Sequence, residues 1–147
     1  MEFKYNDGGR KEAGYKGFTG DCICRAITIA TQKPYQEIYD LINIFGKKER
    51  KSKRRSGKSS ARTGVYKDTI RKIMKSLGWE LTPTMFIGSG CKVHLKSNEL
   101  PKGRLIISVS KHMTCVLDGV LNDTYDCSRD EKRCVYGYFQ RNKKSLL

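Results

Sequence analysis

The stretch KHMTCVLDGVLNDTYD, residues 111–126, decides how the C-terminal half is read. Asp118-Gly119 separates two apolar runs, and Asp-Gly suits a two-residue hairpin turn whose central positions both need positive φ. If Leu117 pairs with Val120, the rest of the register follows. Val116 then opposes Leu121, Thr114 opposes Asp123, and His112 opposes Tyr125. Side chains alternate between the two faces of a strand, so His112, Thr114, Leu121, Asp123 and Tyr125 share one side. Asn122 and Thr124 point to the other. His112 and Asp123 become diagonal neighbours, with Cβ atoms roughly 5–8 Å apart. An imidazole and a carboxylate can hydrogen-bond across that gap. A slipped register would put Asp126 or Asn122 in the place of Asp123.

Around this hairpin, short apolar or alternating runs predict further strands at 80–87, 91–95, 104–109 and 134–140. The N-terminal half has a different period. Residues 1–19 are rich in glycine and polar residues and read as an irregular lead-in. Cys22–Thr31 reads as a short helix, apolar nearly all round and therefore buried, with Asp21 as its N-cap. PYQEIYDLINIF, 34–45, follows at helical spacing, with Gly46 ending it. A third helix is predicted over 64–77, stopped by Gly78. Helices first and strands second give an α+β layout on an antiparallel sheet, in one domain spanning 1–147.

The composition narrows the partners. Thirty Lys and Arg against 15 acidic residues leave a formal charge of +15. A surplus of that size favours polyanions. KKERKSKRRSGK, 47–58, carries eight basic residues and one acidic, so this run alone contributes +7. Its basic residues Lys47, Lys48, Arg50, Lys51, Lys53, Arg54, Arg55 and Lys58 are the candidate polyanion contacts. The run repels itself and lacks apolar residues, which predicts a mobile loop over about 47–60. It also lacks aromatics, so base stacking is not indicated. No apolar stretch approaches the ~20 residues that span a bilayer, and the N-terminus has no apolar signal-peptide core. The expected location is the cytoplasm, with no membrane partner and with reduced thiols.

GDCICRAITIA, 20–30, places Cys22 where a helix begins. A thiol there could be a nucleophile, a metal ligand or a small buried residue. The nucleophile reading has a physical basis, because the positive end of a helix lowers a thiol pKa. An imidazole held by a carboxylate completes the requirement for a base. Cys24 points elsewhere around the helix, into the core. Cys22-x-Cys24, Cys91-x-x-His94 and Cys127…Cys134 supply soft zinc ligands, but no paired C-x-x-C knuckles. No metal or other cofactor is assigned on that basis. His94 has no acidic partner comparable to that of His112.

The order of a helix-borne cysteine, a strand-borne histidine and an aspartate on the next strand resembles the papain-like cysteine peptidases. DGGR, GDCICRAITIA, LPKGRLI, KHMTCVLDG and NDTYD together look like short phage and prophage proteins of that fold. The resemblance implies Cys22 as nucleophile, His112 as general base and Asp123 as the residue that orients it. The family has a glutamine six residues before the cysteine to help form the oxyanion hole, and this chain has Lys16 there. The oxyanion would then rest on the Cys22 backbone N–H and a second donor, with Thr19, Lys16 or the Asp7–Gly9 loop as candidates.

Two functions are therefore expected. One is a phage-encoded thiol hydrolase that acts on a peptide, isopeptide or other amide in the host cytoplasm. The other is a non-catalytic module of the same fold whose basic surface grips nucleic acid or a host protein complex.

Overall fold

The computed structural model describes residues 1–17, 19–50 and 57–142. The elements run β1 (Glu2–Tyr5), α1 (Cys22–Thr31), α2 (Tyr35–Lys47), α3 (Lys67–Ser76), β2 (Trp79–Pro83), a 3-10 turn (Ser97–Glu99), β3 (Arg104–Val109), β4 (His112–Leu117), β5 (Val120–Asp123) and β6 (Val135–Arg141). The predicted hairpin is present. Asp118 and Gly119 both take positive φ, 47° and 82°. Leu117 pairs with Val120, Val116 with Leu121, and Cys115 with Asn122. Continuing that ladder by one step sets Thr114 against Asp123.

The architecture is α+β, but the sheet is mixed rather than antiparallel. Its six strands run β1-β5-β4-β3-β6-β2, and β1 lies parallel to β5 with Tyr5 opposite Asp123. The irregular lead-in therefore contains a strand. EFKY is short and its side chains are all exposed, so it carries no burial pattern, and backbone pairing alone fixes it. The run at 80–87 pairs only as far as Pro83, before a turn in which Gly88 and Gly90 take positive φ. At 91–95 the expected strand reduces to one bridge, His94 to Cys134. Leu95 and Leu100 fold under the sheet there and join Leu105, Ile107, Val116 and Leu121 in one apolar cluster.

The other cluster lies between helices and sheet. Ile23, Cys24, Ala26, Ile27, Ile29 and Ala30 of α1 are all buried in it, together with Ile106, Cys115 and Phe139. Ile106 and its chain neighbours Leu105 and Ile107 fall in different clusters, as strand alternation requires. Arg104 fixes the far end of α1. Its Nε donates to Ala30 O at 2.6 Å and its Nη2 to Ile29 O at 2.5 Å. A cation on the last carbonyls suits the negative end of the helix.

Gly46 does not end α2 but lies inside its last turn, buried. A Cβ there would stand 2.0 Å from Ser59 O. That close approach lets Ser59 N donate to Glu49 Oε1 at 2.6 Å, while Ser59 Oγ and Thr69 Oγ1 reach Glu49 Oε2. The basic segment is thus anchored at both ends, and Lys58 Nζ also donates to Lys47 O at 2.9 Å. Only part of the predicted mobile loop falls on described residues. Lys47 belongs to α2 and Ser60 bridges to Gly64, whereas Lys51, Lys53, Arg54 and Arg55 lie outside the described residues. Gly46→Ala should cost about 1–3 kcal/mol by overpacking against backbone. A fall in the urea midpoint with unchanged slope measures it.

Candidate active site

Cys22 is the first residue of α1, and Asp21 holds the N-cap position without making a side-chain cap bond. The expected capping role is therefore wrong. The Asp21 carboxylate, buried at 2 % exposure, accepts from Tyr35 Oη at 2.7 Å, pairs with Arg10 Nε at 3.3 Å and is bound by Arg25 Nη1. Hydrogen bonds from charged donors are stronger than those from backbone amides, so the carboxylate turns toward the arginines. This leaves the first-turn N–H groups of α1 without a side-chain acceptor. The positive end of the helix then faces the Cys22 position.

Arg25 also ties α1 to the hairpin. Its Nη2 lies 3.5 Å from Asp123 Oδ1, so one half-buried guanidinium spans both carboxylates. Removing the guanidinium takes one charged partner from each carboxylate and costs about 2–3 kcal/mol, because Asp21 keeps Arg10 and Tyr35 and Asp123 keeps His112. Arg25→Met should show that loss in urea unfolding. A loss near 1 kcal/mol or less, the worth of a solvated pair, would contradict it.

The predicted His112–Asp123 contact is present. His112 Nε2 is 2.7 Å from Asp123 Oδ2, so Nδ1 is the ring nitrogen left for another partner. The other carboxylate oxygen accepts from Thr124 N at 2.7 Å. Tyr125 packs on the imidazole with ring centroids 5.3 Å apart, as the register predicts. Asn122 lies elsewhere, hydrogen-bonded to Asn6 and to Val120 O. Asp126 accepts from Ser128 N and Oγ. Neither replaces Asp123.

Cys22 reaches this pair across 90 residues of chain. Burial pushes its thiol up, but hydrogen bonding with His112 and the Met113 backbone, then the charges of His112 and Arg25, outweigh it. The net result lies below the ordinary 9.0. Burial would push His112 down, yet hydrogen bonds with Asp123, Cys127 and Cys22, and the Asp123 charge, raise it to about 11. Burial also opposes ionisation of Asp123, but the hydrogen bond with His112, the nearby Thr114 hydroxyl and the His112 charge hold it below its usual range. All three shifts act in the direction of a thiolate beside an imidazolium beside a carboxylate. Cys24 and Cys115 lack such partners, and burial pushes both up to about 12.

Of the oxyanion candidates, Thr19 is the one with an uncommitted buried hydroxyl. Its Oγ1 is buried and has no hydrogen-bond partner among the described residues. Lys16 is exposed and lines a small cavity of about 160 Å³ with Thr19, Arg10 and Arg62. The Asp7–Gly9 loop is closed on itself through Gly9 N to Asp7 Oδ1 at 2.9 Å, with Gly8 packed close to Arg25 O. A larger, mostly apolar cavity of about 400 Å³ opens beside Met113, the residue after His112, and is lined by Ile70, Leu81, Phe86, Tyr136 and Phe139.

Sequence reasoning missed three site residues. Arg25 stands four residues after Asp21, which is itself a signal for a helical ion pair. Arg10 gave no local signal, and the sequence offered Cys127 only as a soft ligand alongside Cys134. Cys127 is buried, with Sγ 3.7 Å from Asp123 Oδ2. Ligand atoms of His112, Asp123 and Cys127 lie within 4.8 Å of one another and could hold a cation, at the expense of the His112–Asp123 hydrogen bond.

Two expectations outside the site need correction. Cys91 and Cys134 form a disulfide rather than staying reduced, because the His94–Cys134 bridge brings their Cα atoms to 5.8 Å. His94 does have an acidic partner, Glu99 Oε1 at 3.3 Å from Nδ1, supplied by the 3-10 turn. No helix among the described residues is long and apolar enough to cross a membrane.

Compared with known proteins, the chain matches no family model, no curated protein and no solved structure.

Proposed function

We propose that the chain is a papain-like thiol hydrolase of peptide, isopeptide or related amide bonds, of the kind carried by phages. The observation that carries this reading is the alignment of Cys22, His112 and Asp123, with the thiol depressed and the imidazole raised. In the reaction the Cys22 thiolate attacks the carbonyl carbon. The developing oxyanion is met by N–H groups at the start of α1 and by Thr19 Oγ1. His112 Nδ1–H then gives its proton to the leaving amine as the C–N bond breaks. Water attacks the thioester, His112 takes its proton, and the acid leaves as the thiolate returns. Asp123 keeps the ring in one tautomer throughout. The cavity lined by Met113, the residue after His112, would take an apolar side chain of the substrate.

The test is alkylation by iodoacetamide near pH 6, mapped by mass spectrometry and scaled to free glutathione. Cys22 should react faster than glutathione there, because only a stabilised thiolate is nucleophilic at that pH. A Cys22 rate at or below that of glutathione would overturn the reading.

A second reading is favoured by the charge of +15, of which the run 47–58 supplies +7. The basic surface then grips nucleic acid or an acidic host protein complex, with or without hydrolysis. Deleting 51–56 should weaken binding to a DNA or RNA oligonucleotide and flatten its salt dependence. No binding by the intact chain at low salt rejects it.

A further inference from the structure

We propose that Cys91, Cys134 and His94, with Met85 as a fourth donor, form a redox-gated site for a soft cation, Zn²⁺ or Cu⁺. The site lies beside the 400 Å³ cavity and is separate from the catalytic residues. Two donor pairs already sit at coordination spacing, while the two cysteine sulfurs are bonded to each other until reduced. With metal–sulfur bonds of about 2.3 Å and metal–nitrogen bonds of about 2.0 Å, neighbouring tetrahedral donors stand about 3.6–3.8 Å apart. Cys91 Sγ is 3.7 Å from His94 Nε2, and Cys134 Sγ is 3.8 Å from Met85 Sδ.

The surroundings have the features such a site needs. His94 turns its other nitrogen to Glu99 Oε1 at 3.3 Å. A carboxylate in that position fixes the ring and makes the ligating nitrogen more basic. Backbone hydrogen bonds hold the two segments together at this point. Leu95 N donates to Arg133 O and Val135 N to Val93 O, each at 2.8 Å, on either side of the His94–Cys134 bridge. Two thiolates, an imidazole and a thioether select a soft closed-shell ion over Mg²⁺ or Ca²⁺.

The disulfide and the cation exclude one another. A thiol reductant supplies two electrons and two protons, which convert the S–S bond into two thiols. The cation then displaces those two protons and binds both thiolates. Oxidation by a disulfide donor withdraws two electrons, restores the S–S bond and expels the cation. Met85 also lines the cavity, so a bound cation clamps the segment from Met85 to Cys91 over its wall.

The full chain, reduced with a phosphine under nitrogen, is titrated with Zn²⁺ against a chromophoric chelator, with Cu⁺ against bicinchoninate, and with Co²⁺ as a spectroscopic probe. One equivalent should bind, with thiolate-to-Co²⁺ charge-transfer absorption. Binding should vanish in the Cys91→Ser/Cys134→Ser double variant and weaken about tenfold in Glu99→Gln. Cys127→Ala should retain it, which separates this site from the His112–Asp123–Cys127 cluster. Met85→Leu should weaken Cu⁺ and spare Zn²⁺, because a thioether is a better ligand for the former. Oxidised wild type is the folded control and should lack the equivalent that depends on Cys91 and Cys134 until it is reduced again. An equivalent that survives the double serine variant and is lost in Cys127→Ala overturns the proposal. So does the absence of thiolate absorption in the reduced chain.

Discussion

Cys22→Ala should reduce turnover of any amide substrate found in a fluorogenic peptide-amide screen by about 10⁴-fold or more, the usual effect of removing a triad member. The reasoning starts with the other thiols. Cys24 and Cys115 are held neutral by burial, at about 12. Cys127 is buried against Asp123, and Cys91 and Cys134 are bonded to each other. Cys22 alone combines partial exposure, a helix start and an imidazole partner. No neighbour can replace it, so the loss should fall on kcat and should not be rescued by higher substrate concentration. Cys22→Ser is the stringent companion. The hydroxyl fits, but its pKa lies far above that of a thiol, so the imidazolium cannot hold it ionised and activity stays low. Retention of more than about a tenth of the activity in Cys22→Ala would be far outside the effect of losing a nucleophile.

The sequence made the hairpin legible because two local rules agree there. Asp118-Gly119 supplies the turn, and period-two alternation supplies the faces, so the His112–Asp123 contact followed without tertiary information. Cys22 could be placed at a helix start by composition, but its approach to His112 depends on how α1 packs on the sheet. That packing is set in part by Arg104 reaching Ala30 and Ile29 across more than seventy residues. No local pattern encodes such a contact. Asp21 shows the opposite failure. A local capping rule gave it the wrong role, because two arginines and a tyrosine take its oxygens in place of the backbone. β1 was missed because an exposed edge strand buries nothing and so leaves no hydrophobic signature.

His112→Gln should move the alkylation profile of Cys22 upward in pH. The sign follows from the surviving influences. In the wild type, the His112 hydrogen bond and positive charge lie among the forces that bring the thiol below 9.0, against burial. Glutamine keeps a polar side chain but carries no charge. The burial cost remains, opposed only by the Met113 backbone and the Arg25 charge, so the thiol returns toward or above its ordinary value. At neutral pH the thiolate fraction of an unassisted thiol is a few per cent at most, so alkylation near pH 6 should fall about 10–100-fold. Turnover should fall further, because the proton donor to the leaving amine is lost in the same substitution. Asp123→Asn tests the next link. Losing the carboxylate lowers the raised His112, which weakens the imidazolium and shifts the thiol profile up by less than His112→Gln does. That graded order, wild type, then Asp123→Asn, then His112→Gln, is what a coupled thiolate–imidazolium pair requires. Coincident profiles for all three would mean that Cys22 is ionised by the helix and Arg25 alone, and that His112 acts on the substrate only.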